Sequence, residues 1–272
     1  MQLLSNVKKE LHIHILTYCK EPSLLYGTEL IFRTLRTGFP NAHITVTDNT
    51  SIALARDRVR SLAEENECLF KEIQGRASWH HDFIENTLRT YADDPSLTAS
   101  LIFLDPDLCL WHDCEGFAFD GLIAGYLMGG FDDSVTRTLT MPRLHTSFLW
   151  IPDPAALQNE IRKMRARHFD FEPFRPFSFR LRDTWYRYDT GAGLYMAMPD
   201  RVSTFTDDHK ACYDHIFSGS HINSLMPLFS DGVRELMQEV HSHARNGNLE
   251  ALKGIHKHID RIWWNLHDPL SL

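Results

Sequence analysis

The chain has no long apolar run. No stretch reaches the roughly 18 residues needed to cross a bilayer, and residues 1–10 lack the apolar centre of a secretory leader. A spanning or secreted protein is therefore not expected, while peripheral contact with a membrane stays open. Cysteine is sparse. The five present, Cys19, Cys68, Cys109, Cys114 and Cys212, form no C-x-x-C pair, and an odd number argues for reduced thiols in a cytoplasmic protein. Positive charge is in deficit: 28 Lys and Arg against 36 Asp and Glu, a net charge of −8, which excludes a broad nucleic-acid surface. There is no internal repeat and no low-complexity linker. What the 272 residues do hold is apolar, at 43 % of the chain, enough for one large domain or a domain with an appendage. Seventeen Phe, eight Tyr and six Trp are enough to line clefts as well as fill a core.

One stretch organises the rest. Leu101, Ile102, Phe103 and Leu104 do not alternate with polar residues, which is the pattern of a strand covered on both faces. The run stops at Asp105-Pro106-Asp107. Proline fixes φ and ends the strand. Residues two apart in an extended segment point the same way, so both carboxylates converge at the carboxyl end of a buried strand, where open α/β sheets bind ligands. Paired carboxylates there suit a hard cation, Mg²⁺ or Mn²⁺, of the kind that bridges phosphates. The competing reading is a solvated polar turn.

Before that strand the chain alternates elements. Residues 11–18 read as a first strand, 24–37 as a helix with Leu30, Ile31 and Leu35 inward, and 42–47 as a second strand ending in Asp48-Asn49-Thr50-Ser51. Residues 52–65 read as a helix with Leu54, Val59 and Leu62 on one side, 67–73 as a third strand, and 79–91 as a helix with Ser78 as N-cap and Phe83, Ile84 and Leu88 inward. This β-α-β-α-β-α-β order predicts a parallel sheet with right-handed crossovers. The start of the third helix carries His80, His81 and Asp82, and a helix N-terminus favours anions such as a diphosphate. A plain surface helix start explains the same residues.

A strand ending in Thr17-Tyr18, a helix, a strand ending in Asp48-Asn49-x-Ser51, and a later strand ending in Asp105-x-Asp107 together resemble the N-terminal half of nucleotide-sugar glycosyltransferases of the GT-A fold, the large family-2-like group. The resemblance covers residues 11–111. It implies a mostly parallel Rossmann-like sheet flanked by helices, with a nucleotide half at 1–115 and an acceptor half at 116–225. It implies a UDP- or GDP-linked sugar as donor, its base near Asp48 and Asn49 between Thr17 and Tyr18, and its ribose near Asp105. The cation would be held by Asp105 and Asp107. Members often complete that site with a C-terminal histidine before a small-residue loop, here His215 or His221. The chemistry implied is inverting transfer to a glycan or glycolipid hydroxyl, of the kind used in surface polysaccharide assembly.

The second half is read from the residues alone, apart from the base. Residues 113–128 read as a helix, 137–142 followed by 144–151 as a strand or a bent pair of strands, and 155–168 as a helix opened by Asp153-Pro154. Residues 169–182, rich in Phe, read as a partly ordered loop over a pocket, as packing for an insertion, or as hydrophobic anchoring of a long loop. Asp189 stands before Thr190-Gly191-Ala192-Gly193, where small residues let backbone approach a ligand. The resemblance places a catalytic base in this part of the chain, and general base work needs one carboxylate within reach of the acceptor hydroxyl. Asp189 as a cap on a helix at 191–198 is the alternative, and Asp207 and Asp208 are rivals, because the usual Glu-Asp pair of the family is missing. Residues 226–266 read as a helical hairpin turning at 245–248, an appendage packing on the domain or forming a homodimer. A sugar-1-phosphate nucleotidyltransferase would need a Gly-rich loop near the start, and residues 17–28 hold only Gly27. A non-catalytic nucleotide-sugar or glycan binder remains the other alternative.

Overall fold

The computed structural model of the chain describes residues 9–19, 21–73, 80–134, 136–168, 171–216 and 231–253. The first half alternates as expected: β1 (Leu11–Thr17), α1 (Leu25–Gly38), β2 (His43–Asp48), α2 (Ala53–Glu65), β3 (Leu69–Glu72), α3 (His80–Asp93) and β4 (Ser100–Leu104). It continues through β5 (Leu108–Leu110), β6 (Ile123–Met128), β7 (Phe131–Asp133), β8 (Thr138–Thr140), β9 (Arg143–Ile151), α4 (Pro154–Arg167), β10 (Phe177–Leu181) and β11 (Thr184–Tyr188). Then come α5 (Ala192–Ala197), β12 (Val202–Thr204), α6 (Asp207–Lys210), β13 (Tyr213–His215), α7 (Asp231–Arg245) and α8 (Leu249–Leu252).

The protein is a mixed α/β fold. Its main sheet has seven strands in the order β12-β6-β9-β4-β1-β2-β3. The pairs β4–β1, β1–β2, β2–β3 and β12–β6 are parallel, and β9 runs antiparallel to both its neighbours. Every residue of β4 is buried. Its side chains alternate between two cores. Ile102 and Leu104 pack with α1 and α2 residues such as Ile31, Leu35, Val59 and Leu62, while Leu101 and Phe103 pack with Phe83, Ile84 and Leu88 of α3 and Leu157 and Ile161 of α4. This is why the β4 sequence shows no alternation: both faces are core. Asp153 caps α4 by accepting from the Ala156 amide at 3.0 Å, as its Asp-Pro start leads one to expect.

Three expectations fail. Residues 113–128 are not a helix but a loop followed by β6, at whose centre a side-chain carbon on Gly125 would lie 3.2 Å from Leu149 Cδ2 and from the Phe148 carbonyl. Strand β9 alongside, not local propensity, decides that conformation. The Phe-rich stretch is not all loop. Phe177 and Phe179 stand on β10 of a hairpin and stack on Tyr188 and Tyr186 across β11, at 4.5 and 5.2 Å between ring centres. Leu54, expected inward, is 74 % exposed in the first turn of α2.

The β10–β11 hairpin, with β8 and β7, forms a four-stranded second sheet, and β13 with β5 a two-stranded ribbon. At the end of the described chain, α7 lays Met237, Val240 and Ala244 against Leu24 and Leu30, with Leu252 of α8 in the same cluster. Asn248 caps α8 by accepting from the Ala251 amide. The expectations for Ser78, for residues 79 and 169–170, for His221, and for residues 226–230 and 254–266 of the hairpin lie outside the described residues. No described helix is long and apolar enough to cross a membrane.

Candidate active site

The β5–β13 ribbon builds the site. Antiparallel pairing sets Leu108 opposite His215, and the Ile216 amide donates to the Asp107 carbonyl at 3.1 Å. That register puts the His215 ring beside the two aspartates leaving β4. His215 Nε2 lies 2.9 Å from Asp107 Oδ1 and 3.8 Å from Asp105 Oδ2. One ligand atom from each of Asp105, Asp107 and His215 lies within 4.8 Å of the others. The Asp105 amide donates to the Ser147 carbonyl, so β9 extends the sheet over the same spot.

Two histidines that the motif did not single out stand around the triad. His80 Nε2 of α3 is 3.5 Å from Asp105 Oδ1. The expected residue of that pair, His81, instead lies 3.5 Å from Asp82. The His145 ring is centred 5.3 Å from that of His215. The Ser147 amide donates to His145 Nδ1 at 3.2 Å, which leaves the ring proton of neutral His145 on Nε2. The helix start at His80 was legible as an anion-favouring feature; which histidine faces in depends on helix phase. His145 gave no signal, being an alternating position on a strand 40 residues downstream of Asp105.

Charges are tightly balanced here. Burial pushes the Asp105 carboxyl above the ordinary range, and His80 and His215 only partly offset it. Burial acts on Asp107 too, but the charge and hydrogen bond of His215 outweigh it and hold that carboxyl low. Burial would likewise lower His215, yet Asp107, then Asp105, raise it. His145 is driven well below its usual value by burial and by facing His215, Arg143 and His80. Two carboxylates and an imidazole are oxygen-rich donors with one borderline nitrogen, a set that fits Mn²⁺ and, less well, Mg²⁺.

On the neighbouring strands, Thr17 at the end of β1 donates to Asp48 Oδ1 at 2.7 Å, at the end of β2. Asp48 is 1 % exposed and its Oδ2 is buried without a partner, an acceptor waiting for a donor. The Asn49 amide donates to the Thr17 carbonyl, and Tyr18 stands 42 % exposed beside them. Asp189 does not cap α5 through its side chain: Gly191, at φ +84°, holds the N-cap position. Its Oδ1 accepts from the Thr190 amide at 2.9 Å, and its Oδ2 pairs with the buried Arg143 guanidinium at 3.1 Å. Asp207 and Asp208 open α6 at the surface, where Asp207 pairs with Lys210.

No family model matches the sequence. No curated protein matches it either. Solved structures are similar in part. The apo form of the glycosyltransferase GlyE of Streptococcus pneumoniae TIGR4 aligns at 10 % identity and a TM-score of 0.42 over 74 % of this chain, which spans 46 % of that protein. Mouse xyloside xylosyltransferase 1 aligns at 10 % identity and 0.42, over 72 % of this chain and 85 % of that one. A Pyrobaculum calidifontis mannosyltransferase in complex with GDP-Man and Mn²⁺ aligns at 12 % identity and 0.40, over 91 % and 73 %. Likenesses this shallow leave the site to be read from its own geometry.

Proposed function

We propose that the protein is a cation-dependent glycosyltransferase that moves a sugar from a nucleoside diphosphate, UDP or GDP, to the hydroxyl of a glycan or glycolipid. The observation that carries this is the convergence of Asp105, Asp107 and His215 at the carboxyl end of β4, one strand from the Thr17–Asp48 pair. Mn²⁺ or Mg²⁺ would be held by those three residues, and when bound it supplies charge neutralisation to the departing diphosphate. In this reading the nucleotide half is 1–115 and the acceptor half 116–225, with 226–272 as an appendage that also offers a homodimer face. Asp48 accepts a hydrogen bond from the base through its unpartnered Oδ2, Asn49 and Tyr18 wall that pocket, and Asp105 also meets the ribose. His80, at the start of α3, borders the diphosphate, while His81 sits beside Asp82. His145, neutral and carrying its proton on Nε2, is a hydrogen-bond donor that adds no positive charge.

Asp189 is the base proposed to take the acceptor proton in an inverting transfer. Arg143 holds its orientation, and each carboxylate oxygen keeps a second lone pair for a hydroxyl. The same engagement by Arg143 and Thr190 favours a second reading, a nucleotide-sugar binder without turnover. The hairpin that exposes Phe177, Phe179, Leu181 and Trp185 with Arg180 supports contact with a membrane carrying the acceptor. The deciding experiment is slow hydrolysis of UDP- and GDP-sugars with Mn²⁺ and with EDTA. Cation-dependent release of the diphosphate supports the transferase; binding with no release under any donor supports the second reading.

A further inference from the structure

At the opposite end of the sheet, the amino ends of β1 and β2 bring three metal-ligating side chains together by register alone. His12 pairs directly with His43 across the parallel ladder. Side chains so paired stand on one face of neighbouring strands about 4.8 Å apart. Glu10 lies two positions before His12 and shares that face. The measured geometry agrees. His12 Nε2 is 3.5 Å from Glu10 Oε2, the two imidazoles meet edge-on with centres 5.2 Å apart, and one ligand atom from each of the three residues lies within 4.8 Å of the others.

We propose that Glu10, His12 and His43 form a second cation site, built for a late first-row divalent ion of the zinc class. Tetrahedral zinc with bonds of about 2.0–2.1 Å sets its donors roughly 3.3–3.4 Å apart. The Glu10–His12 separation is already close to that, and Glu10 and His43 are exposed side chains free to close the remainder. Two imidazoles and a carboxylate favour Zn²⁺, Ni²⁺ or Cu²⁺ over Mn²⁺ or Mg²⁺, so this site and the oxygen-rich one at Asp105 select different ions. Three protein ligands leave a coordination position open. It gives onto a groove of about 1280 Å³ that runs past Thr45, Thr47 and Lys71 to Asn86, Thr87 and Thr90.

A second observation concerns the other nitrogen of His12. Its Nδ1 is 2.7 Å from the Tyr91 hydroxyl, which also lies 3.0 Å from Nε2 of the buried His14. The phenol has one hydrogen for two rings. Donated to His14, it makes Tyr91 an acceptor for His12 Nδ1–H, and the lone pair of His12 is then on Nε2, the nitrogen beside Glu10. Metal-bound histidines are held in this way, the distal N–H donating to a fixed acceptor. Tyr91 is the positioning residue.

The test is independent of the transferase reading. The full chain is titrated with Zn²⁺ by calorimetry, and with Co²⁺ by its visible absorption, as wild type, His43→Gln, Glu10→Gln and Tyr91→Phe. Even an outer partner costs roughly 10–100-fold in affinity. Tyr91→Phe is therefore expected to weaken one equivalent of Zn²⁺ by about tenfold, and either ligand variant to weaken it by at least about 100-fold and remove the tetrahedral Co²⁺ band. Glu10 and His43 are exposed, so both variants fold. Unchanged Zn²⁺ stoichiometry and affinity in His43→Gln and Glu10→Gln would overturn the site and leave an ordinary Glu–His contact.

Discussion

At the scale of single residues, Asp107 is less dispensable than a surface metal ligand would be. It is 5 % exposed and bound to His215, so Asp107→Ala takes a charged hydrogen-bond acceptor from a part-buried imidazole, at a cost of about 1–3 kcal/mol. Asp107→Asn keeps the shape and an acceptor. It is expected to fold, to melt within a few degrees of wild type, and to lose cation-dependent donor hydrolysis; full hydrolysis by a folded Asn variant would remove Asp107 from the metal set. Asp189→Asn keeps the contact to Thr190 and is expected to lower kcat for transfer by roughly 10²–10⁴ while nucleotide affinity holds. Near-normal transfer would move the base to Asp207 or Asp208. Asp105 and Asp107 were legible because strand, proline and carboxylates are contiguous. His80 was legible only as part of an anion-favouring helix start and His145 not at all, since only the packing of α3 and β9 turns them inward.

Among elements, α7 carries its own pH sensor. Burial, then the nearby Arg245, lowers His241 to about 4, although Asp107 pulls the other way, and its Nδ1 is hydrogen-bonded to the Tyr26 hydroxyl. An imidazole that stays neutral when folded but takes a proton when unfolded near 6.5 makes the unfolded state bind more protons as pH falls. The stability from this group is therefore complete above pH 6.5 and declines toward 4. At pH 5 the loss is about 2 kcal/mol. His241→Gln is expected to flatten that part of the acid dependence of Tm between pH 7 and 5; an identical slope in both proteins would count against the buried neutral ring. The β10–β11 hairpin is testable too. Phe177→Ser with Phe179→Ser is expected to weaken sedimentation with anionic vesicles and leave donor hydrolysis intact, and unaltered sedimentation argues against a membrane face. Elements up to β4 were legible because each carries its own period and stop signal. β6 was not, because Ile123-Ala124-Gly125-Tyr126-Leu127-Met128 has no period of its own and takes its form from β9.

For the molecule as a whole, nucleotide and cation should stabilise together. In the transferase reading nucleotide and cation meet at one site on the native state, so UDP or GDP with Mn²⁺ is expected to raise Tm by more than either alone. A nucleotide shift that survives EDTA unchanged would place the diphosphate away from Asp105 and Asp107. The alternation of the first four strands with helices, and their parallel pairing, were readable from the periods, whereas the antiparallel insertion of β9 between β6 and β4 was not, since such pairing leaves no local trace. The β5–β13 ribbon has a consequence for how the molecule is made. Asp107 and His215 are 108 positions apart. A nascent chain displays both aspartates long before it owns the imidazole, and closing so long a loop is slow. At the proposed cation site, full-strength capture requires that synthesis has passed residue 215 and that the two ends of this span have met. In the transferase reading, a fragment ending short of β13 lacks His215 and is expected to hold Mn²⁺ more weakly than the full chain does.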